Sequence, residues 1–210
     1  MLSKRYYLAM TGDLSAEEIA EFLVHLGRAA RGEDAGAALT PAQWTALRFF
    51  ARANRASRTP SAFASFHATT RGTASQTVKS LEGKGYLTRR RSDHDRRSVR
   101  FELTDDGLAM LHRDPLRHLS ESIARLDSEA RASLGRVLPT LAVDLSAARG
   151  ASAFGTCGDC RHFSARAVGG HCACVSAELS PDEIGQLCAN FAAGREETPL
   201  RLPTERKETS

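Results

Sequence analysis

The sequence predicts a mainly α-helical chain with one small β-hairpin, and three observations favour this fold class. Most of the chain carries apolar residues at helical spacing behind capping residues. One stretch, residues 86–103, instead alternates with period two around a polar turn, as a hairpin does. All five cysteines lie between Cys157 and Cys188, which indicates a separate C-terminal module in this 210-residue chain.

Start signals predict four helices before the hairpin. Ser15 and Glu18 form a capping box ahead of a helix over about residues 16–30. Two further start signals place proline at the first helical position, where its missing N–H costs nothing. The fourth helix has its apolar residues four and three positions apart and ends near residues 83–85. The second to fourth helices begin at Thr40-Pro41, Thr59-Pro60 and Arg71-Gly72.

Long apolar stripes follow the hairpin. Thr104 is predicted to cap a helix whose stripe runs from Leu108 to Leu126, and Pro115 should kink or reset it. Ser128 is predicted to cap a last long helix that ends at Gly150. Such stripes suit either dimerisation helices or the core of a monomer, and the chain offers little else to cover them.

The charge of the chain is concentrated near the hairpin. Its net charge is +4, but residues 71–100 alone hold nine basic and three acidic residues. This patch predicts a nucleic-acid partner, with a solvated charged face as the alternative. No dinucleotide-binding, P-loop, zinc-protease or triad motif is present, so we expect no enzyme and keep an iron–sulfur redox enzyme as the rival class. No membrane span or secretion signal is evident, so a cytoplasmic protein is expected.

Three short helices, a basic hairpin and striped helices together predict a winged helix-turn-helix with appended dimerisation helices. The fourth helix would enter the major groove of DNA, and arginines at the hairpin tip would reach the minor groove. The alternative for Arg96 and Arg97 is a surface ion pair with Asp93 and Asp95. The candidate DNA-binding residues are Arg71, Thr73, Ser75, Gln76, Lys79, Arg91, Arg96 and Arg97.

Over residues 14–148 the chain resembles the MarR family of bacterial transcription regulators. The runs that carry the resemblance are 39–44, 78–87 and, above all, 92–107, with its Asp-x-x-Asp-Arg-Arg wing signature followed by a strand and a helix cap. Gly72 at the start of the recognition helix departs from the family pattern. The resemblance implies a homodimer built from the first and last helices, which binds a pseudo-palindromic double-stranded DNA operator. The family commonly binds a small aromatic ligand between these helices and the winged domain.

The cysteines of the C-terminal segment predict a metal or cluster site. Gly155 and Gly158 should give the Cys-x-x-Cys turn conformational freedom, and the remaining cysteines are widely and unevenly spaced. This spacing favours an iron–sulfur cluster over zinc, which is more typical of paired knuckles, and a free-thiol switch is the third reading. We expect His162 and His171 outside the ligand shell, and disulfides are disfavoured because the number of cysteines is odd. The candidate ligands are Cys157, Cys160, Cys172, Cys174 and Cys188.

The segment also resembles small four-cysteine modules that have Cys-x-x-Cys-x-x-Phe and a closing Cys-x-x-Phe, some of which hold a 4Fe-4S cluster. On this resemblance Cys157, Cys160 and Cys188 are the firmest ligands, and Cys172 or Cys174 is the fourth. Phe163 and Phe191 are expected to shield the site from water. A short helix beginning at residues 180–183 is expected to carry Cys188.

These patterns divide the chain into three parts. Residues 1–150 are predicted to form the winged helix-turn-helix and dimerisation domain, with a DNA-binding core at 39–103. Residues 151–194 would form the cysteine module behind a short linker at 151–156, and residues 195–210 a disordered tail.

The predicted function is a DNA-binding transcriptional regulator, and specifically a repressor. An iron–sulfur cluster that senses redox state, oxygen or iron would control its operator affinity through the packing of the module on the dimer helices. The alternative is a repressor that responds to a small aromatic ligand and holds a structural zinc in the module.

Overall fold

The structure, a computed structural model, describes residues 14–31, 38–91, 99–150 and 154–193, with only the backbone of Arg91. A 3₁₀ turn at Arg55–Ser57 separates the second and third helices. The helices are α1 Ala16–Ala29, α2 Pro41–Arg52, α3 Pro60–Phe66, α4 Arg71–Gly83, α5 Asp105–Leu111, α6 Arg117–Ala124, α7 Ser128–Ala148 and α8 Pro181–Ile184. The strands are β1 Leu87–Arg91, β2 Val99–Leu103, β3 Gly155–Thr156, β4 Phe163–Ala165, β5 Gly170–Cys172, β6 Ala177–Leu179 and β7 Leu187–Cys188.

The four predicted N-terminal helices are confirmed, and their caps explain where they begin. The Ser15 hydroxyl accepts a hydrogen bond from the Glu18 N–H at 3.2 Å, while the Glu18 carboxylate accepts one from the Ser15 N–H at 2.8 Å. Thr40 caps α2 in the same reciprocal way, and Thr59 and Thr70 cap α3 and α4 through their side chains. Each cap satisfies N–H groups that the first helical turn leaves without a partner.

The hydrophobic core is centred on α2. Phe49 and Phe50 of α2 and Phe63 of α3 are fully buried, with ring centroids 5.3–6.2 Å apart. The apolar stripe predicted for α4 faces this core, and the hairpin covers it through Leu87 and Phe101. The recognition helix is therefore held rigidly between the second helix and the wing.

The predicted hairpin is confirmed as an antiparallel pair. Leu87 lies opposite Leu103 and Arg91 opposite Val99. The turn between them, residues 92–98, lies outside the described residues. The second strand also bonds to the helical part, because the Phe101 N–H donates to the Arg58 carbonyl at 2.9 Å.

The helices after the hairpin differ from the prediction in two places. The stripe from Leu108 to Leu126 is divided, since α5 ends at Leu111 and α6 begins at Arg117. Pro115 lies in this break, where it needs no helical N–H, so the expected reset is confirmed. The last long helix is capped by Asp127 and not by Ser128. The Asp127 carboxylate accepts from the Ala130 N–H at 2.8 Å, and Ser128 is the first helical residue.

Two helices present apolar faces to solvent in the single chain. On α1, Ile19, Leu23 and Leu26 are 40–46% exposed. On α7 the exposed apolar residues are Leu134, Val137, Leu138, Leu141 and Leu145. The stripe on α7 is one of the two that the sequence suggested for dimerisation, and α1 is the first helix that the family resemblance assigns to the dimer. Within the described ranges, no helix is both long and apolar enough to cross a membrane.

The cysteine segment folds into two small sheets, which the sequence analysis did not predict. One pairs β3 with β7 and the other has the order β4-β5-β6. The linker prediction for 151–156 is wrong at its end, because Gly155 and Thr156 pair with Cys188 and Leu187. Helix α8 exists but has only four residues, so Cys188 is carried by β7 and not by that helix.

Candidate DNA-binding surface and cysteine module

The outer face of α4 carries four of the eight residues predicted to contact DNA. Arg71, Thr73, Gln76 and Lys79 are exposed, while Ala74, Val78 and Leu81 pack into the core. Thr73, Gln76 and Lys79 are spaced by three residues, which places them along one side of the helix. This side combines a cation with amide and hydroxyl groups that can reach phosphates and base edges.

Two predicted residues are less available for DNA than the sequence suggested. Ser75 is partly buried, because its position lies next to the stripe that faces the core. The Thr73 hydroxyl is 2.9 Å from the Thr70 hydroxyl in the N-terminal cap of α4. Gly72 creates no conflict, since it lies in the first helical turn and a Cβ there would meet only the Thr70 hydroxyl at 3.8 Å.

The wing contributes further positive charge beside α4. Arg89 and Arg90 of β1 are exposed, and Arg90 pairs with Glu102 of the second strand at 3.4 Å. Arg96 and Arg97 lie outside the described residues, as does the side chain of Arg91. The described part of the wing therefore carries cations up to the point where the tip begins.

Three of the five cysteines pack together in the C-terminal module. Cys157, Cys172 and Cys188 are buried to 4%, 9% and 6% exposure and form one cluster with Leu179. They come from three separate places in the module, since Cys157 follows β3 while Cys172 and Cys188 end β5 and β7. The topology thus brings together thiols that are up to 31 positions apart in the sequence.

The other two cysteines differ from each other. Cys160 is partly buried, its N–H donates to the Cys157 carbonyl at 3.2 Å, and its sulfur accepts from the Ala192 N–H at 3.5 Å. Cys174 is exposed in the turn between β5 and β6. Of the two candidates for the fourth ligand, Cys172 is buried in the cluster with Cys157 and Cys188, whereas Cys174 is exposed.

Burial raises the pKa of the Cys157 thiol above its usual value, and the neighbouring Cys188 and Cys172 act in the same direction. A hydrogen bond from the Asn54 side chain opposes them and lowers this pKa, because the amide N–H stabilises the thiolate. The Asn54 Nδ2 lies 3.4 Å from the Cys157 sulfur. A donor from the winged domain therefore already faces the sulfur of a candidate ligand.

Two glycines allow aromatic rings to cover the cysteine strands. A Cβ at Gly155 would lie 2.5 Å from the ring of Phe191, and one at Gly170 would overlap the ring of Phe163. Both rings pack on the buried cysteine cluster, as the sequence predicted for residues that exclude water. The expected reason for Gly155 and Gly158 is wrong, because neither has a positive φ. Gly155 is required for the close approach of a ring, and Gly158 lies against Ile184.

The module is docked on the winged part of the same chain. The Asn54 N–H donates to the Leu187 carbonyl at 2.8 Å, and the Ala189 N–H donates to the Ser57 hydroxyl at 2.9 Å. The ring of Phe154 packs edge-on against Phe66, with centroids 5.2 Å apart. These contacts reach the 3₁₀ turn and its flanking helices, whereas the sequence-based hypothesis placed the module on the dimer helices.

An open groove lies where the module meets the second strand of the wing. Its lining is dominated by charged side chains, including Arg55, Arg58, Glu102 and Glu183. Arg55 and Glu183 form an ion pair across it at 3.6 Å. This ion pair joins the 3₁₀ turn to helix α8 of the module.

The donor set of the module fits a thiophilic metal centre in its chemistry. Buried thiols, two covering rings and one amide donor are the groups that metal–thiolate sites use. In the described ranges, however, no group of three or more Cys, His, Asp or Glu side chains is arranged to hold a metal ion. The cysteines are thus gathered by the fold without forming a closed ligand shell.

Comparison with known proteins identifies the winged segment. The MarR family model matches residues 39–98, from the residue before the α2 cap to the wing. The match covers 60 of the 210 residues of the chain. No curated protein sequence matches the chain.

Several solved structures resemble the chain at low identity. FabT of Streptococcus pneumoniae, solved in complex with DNA, is 24% identical with a TM-score of 0.47, and the alignment covers 64% of this chain and 99% of that one. A MarR family protein from Bacillus stearothermophilus is 21% identical over 62% of this chain and 89% of its own, with a TM-score of 0.46. A MarR transcriptional regulator from Methanosarcina mazei Go1 is 21% identical with a TM-score of 0.47, and the alignment covers 64% of this chain and 94% of that one.

Proposed function

We propose that this chain, whose residues 39–98 match the MarR family model, is a transcriptional repressor controlled by an iron–sulfur cluster in its cysteine module. One observation carries the proposal. The buried cluster of Cys157, Cys172 and Cys188 is docked directly on the DNA-binding domain. A change in the state of these thiols therefore has a physical contact through which it can reach the DNA-binding surface.

The DNA partner is inferred from α4 and the wing. Lys79 and Arg71 would contact phosphates, and Gln76 offers an amide that can read a base edge in the major groove. Arg96 and Arg97 would reach the minor groove from the wing tip. A pseudo-palindromic duplex operator follows if the chain is a dimer.

A homodimer is supported by the exposed apolar faces of α1 and α7. Leucine, valine and isoleucine side chains on these helices are 38–58% exposed in one chain, and burying them against a second copy would remove this surface from water. The dimer would then be joined by the first and last helices, as the sequence resemblance implies.

Cys157, Cys160, Cys172 and Cys188 would hold the cluster, which is best described as 4Fe-4S. The spare thiol, Cys174, is exposed, whereas Cys157, Cys172 and Cys188 are buried. A cluster of this type supplies one-electron redox chemistry and sensitivity to oxygen. The chain's own contribution is to bury three thiols, cover them with Phe163 and Phe191, and present the Asn54 donor to one sulfur.

The alternative remains a repressor with a structural zinc in the module and a small aromatic ligand as effector. The pairing of Cys157 with Cys160 in a tight turn is compatible with zinc. Zinc would stabilise the module without a redox response.

The metal proposal is tested by comparing Cys172→Ser with Cys174→Ser after anaerobic reconstitution with ferrous iron and sulfide. We expect the first variant to lose the visible absorption and iron of the wild type and the second to keep both. Equal retention in both variants would contradict this ligand set, and a colourless wild type that retains only zinc would support the alternative.

The DNA proposal is tested by Lys79→Ala, with Lys84→Ala as the matched control. Lys84 donates to the Ala38 carbonyl at the other end of α4, so it should not contact DNA. Lys79→Ala should lower affinity and reduce the salt-dependence slope by about one. An unchanged slope would remove α4 from the phosphate contacts.

A further inference from the structure

We infer that the cysteine module controls DNA binding through the 3₁₀ turn of its own protomer, with Asn54 and Ser57 as the positioning residues that connect them. This inference rests on the proposed function and identifies the route of its regulation. It differs from a mechanism through the dimer helices, because the contacts start and end within one chain.

Asn54 makes the first connection. It is 5% exposed and uses both ends of its amide, since Nδ2 donates to the Cys157 sulfur at 3.4 Å and Oδ1 accepts from the Ser57 N–H at 2.9 Å. The same side chain therefore contacts a candidate ligand and caps the 3₁₀ turn.

A second connection involves the residues on either side of Cys188. The Leu187 carbonyl accepts from the Asn54 N–H at 2.8 Å, and the Ala189 N–H donates to the Ser57 hydroxyl at 2.9 Å. Ser57 is 2% exposed, so losing this bond would leave an N–H at the interface without its partner. Any shift of Cys188 within the module must therefore move the turn or break one of these bonds.

The turn is in direct contact with the DNA-binding elements. Arg58, the residue after the turn, donates through Nε to the Ala53 carbonyl at 2.9 Å, and its own carbonyl accepts from Phe101 of the wing strand at 2.9 Å. The next residue, Thr59, caps α3, which packs against the recognition helix α4. Five residues of the chain, Asn54 to Arg58, thus join the cysteines to the wing.

Substitution of Ser57 separates this route from metal binding. Ser57→Ala removes the acceptor for Ala189 and touches no cysteine side chain, so the variant should load iron and sulfide as the wild type does. Ser164→Ala is the matched control, because Ser164 is exposed and bonds only within the module, to the His171 carbonyl. The probe DNA is a duplex enriched from a random-sequence pool by the wild-type protein.

The measured quantity is the ratio of operator Kd values with and without the reconstituted cluster. A ratio of roughly 5- to 150-fold is expected for the wild type and for Ser164→Ala. In Ser57→Ala it should shrink by about fivefold, the effect of one ordinary hydrogen bond. A full wild-type ratio in Ser57→Ala overturns the route but not the proposed function. A wild-type ratio of one overturns both.

Hydrogen exchange on the wild type gives a readout that does not depend on DNA or on the folding of a variant. Reconstitution should change the exchange of residues 53–59 and 99–103 as well as that of the module. Changes confined to residues 154–193 would overturn the inference. Asn54→Asp, which keeps the cap acceptor but removes the donor to Cys157, should also reduce the change at 53–59.

Discussion

Phe154 anchors the cysteine module to the DNA-binding domain, and its truncation tests whether this docking contributes to stability. The residue stands directly before β3, and its ring packs on two residues of the winged core. The centroid distance is 6.4 Å to Phe49 at an interplanar angle of 78° and 5.2 Å to Phe66 at 80°. Phe154→Ala removes both edge-to-face contacts without touching a cysteine.

The magnitude follows from these contacts. Each edge-to-face aromatic pair contributes about 0.5–1.5 kcal/mol beyond its buried area, so the two pairs account for about 1–3 kcal/mol. Truncation of a fully buried phenylalanine costs about 3–5 kcal/mol, and Phe154 is only partly buried. We therefore expect Phe154→Ala to lower the free energy of unfolding by about 2–3 kcal/mol.

Urea unfolding followed by the fluorescence of Trp44, the single tryptophan and 5% exposed in the core, measures this loss. Val168→Ala is the control, because Val168 is 80% exposed and should change stability by less than about 0.5 kcal/mol. A loss in Phe154→Ala no larger than in the control would refute the docking of the module on α2 and α3.

Two further predictions concern the winged domain. Asp114→Asn should lower the free energy of unfolding in urea by about 2–3 kcal/mol, because it weakens the largely buried ion pair with Arg48 at 2.8 Å. The control Glu102→Gln changes an exposed ion pair and should cost less than about 1 kcal/mol. Equal losses in the two variants would contradict this prediction. Burial, followed by the charge of Arg31, lowers the pKa of His67 below 6.5. As the pH falls, the imidazole is therefore protonated in the unfolded chain before it is protonated in the folded one, so the free energy of unfolding should fall below pH 6.5. His67→Gln should make the free energy of unfolding, measured in urea between pH 7.5 and 5, depend less steeply on pH. An unchanged pH dependence would exclude His67 as its source.

Much of the winged domain could be predicted because its signals are local. The caps at Ser15, Thr40, Thr59 and Thr70 and the period-two segment around the wing each determine structure within a few residues. The cap of α7 was misplaced by one residue, because Asp127 and Ser128 are both good caps and only the geometry distinguishes them.

The cysteine module was harder to predict because its structure depends on contacts between distant residues. The helix start signal at residues 180–183 is confirmed, and it was the reason for assigning Cys188 to a helix. The helix has only one turn, however, and the following Leu187 pairs with Thr156 in a strand. The roles of Asn54 and Phe154 have no local signal. Each side chain contacts residues about 90 to 105 positions away in the sequence. The sequence around Asn54 resembles a loop, and that around Phe154 was predicted to be a linker.

The choice between Cys172 and Cys174 shows the same limit. Both flank Ala173, and the sequence favours Cys172 only slightly, through the Gly-x-Cys context that precedes it. The antiparallel pairing of β5 with β4 and β6 places Cys172 opposite Phe163 and Ala177 and leaves Cys174 in the turn. Burial, which distinguishes the two, arises only when the sheet forms.

The most direct test of the account is an anaerobic titration of the selected operator duplex with iron–sulfur-loaded and metal-free wild-type protein at one salt concentration. If the cysteine module controls DNA binding, the Kd values of the loaded and the metal-free protein should differ by roughly 5- to 150-fold. Cys157→Ser should have the Kd of the metal-free wild type whether or not it has been treated with iron and sulfide. Equal Kd values for loaded and metal-free protein would contradict the claim that the cysteine module controls DNA binding.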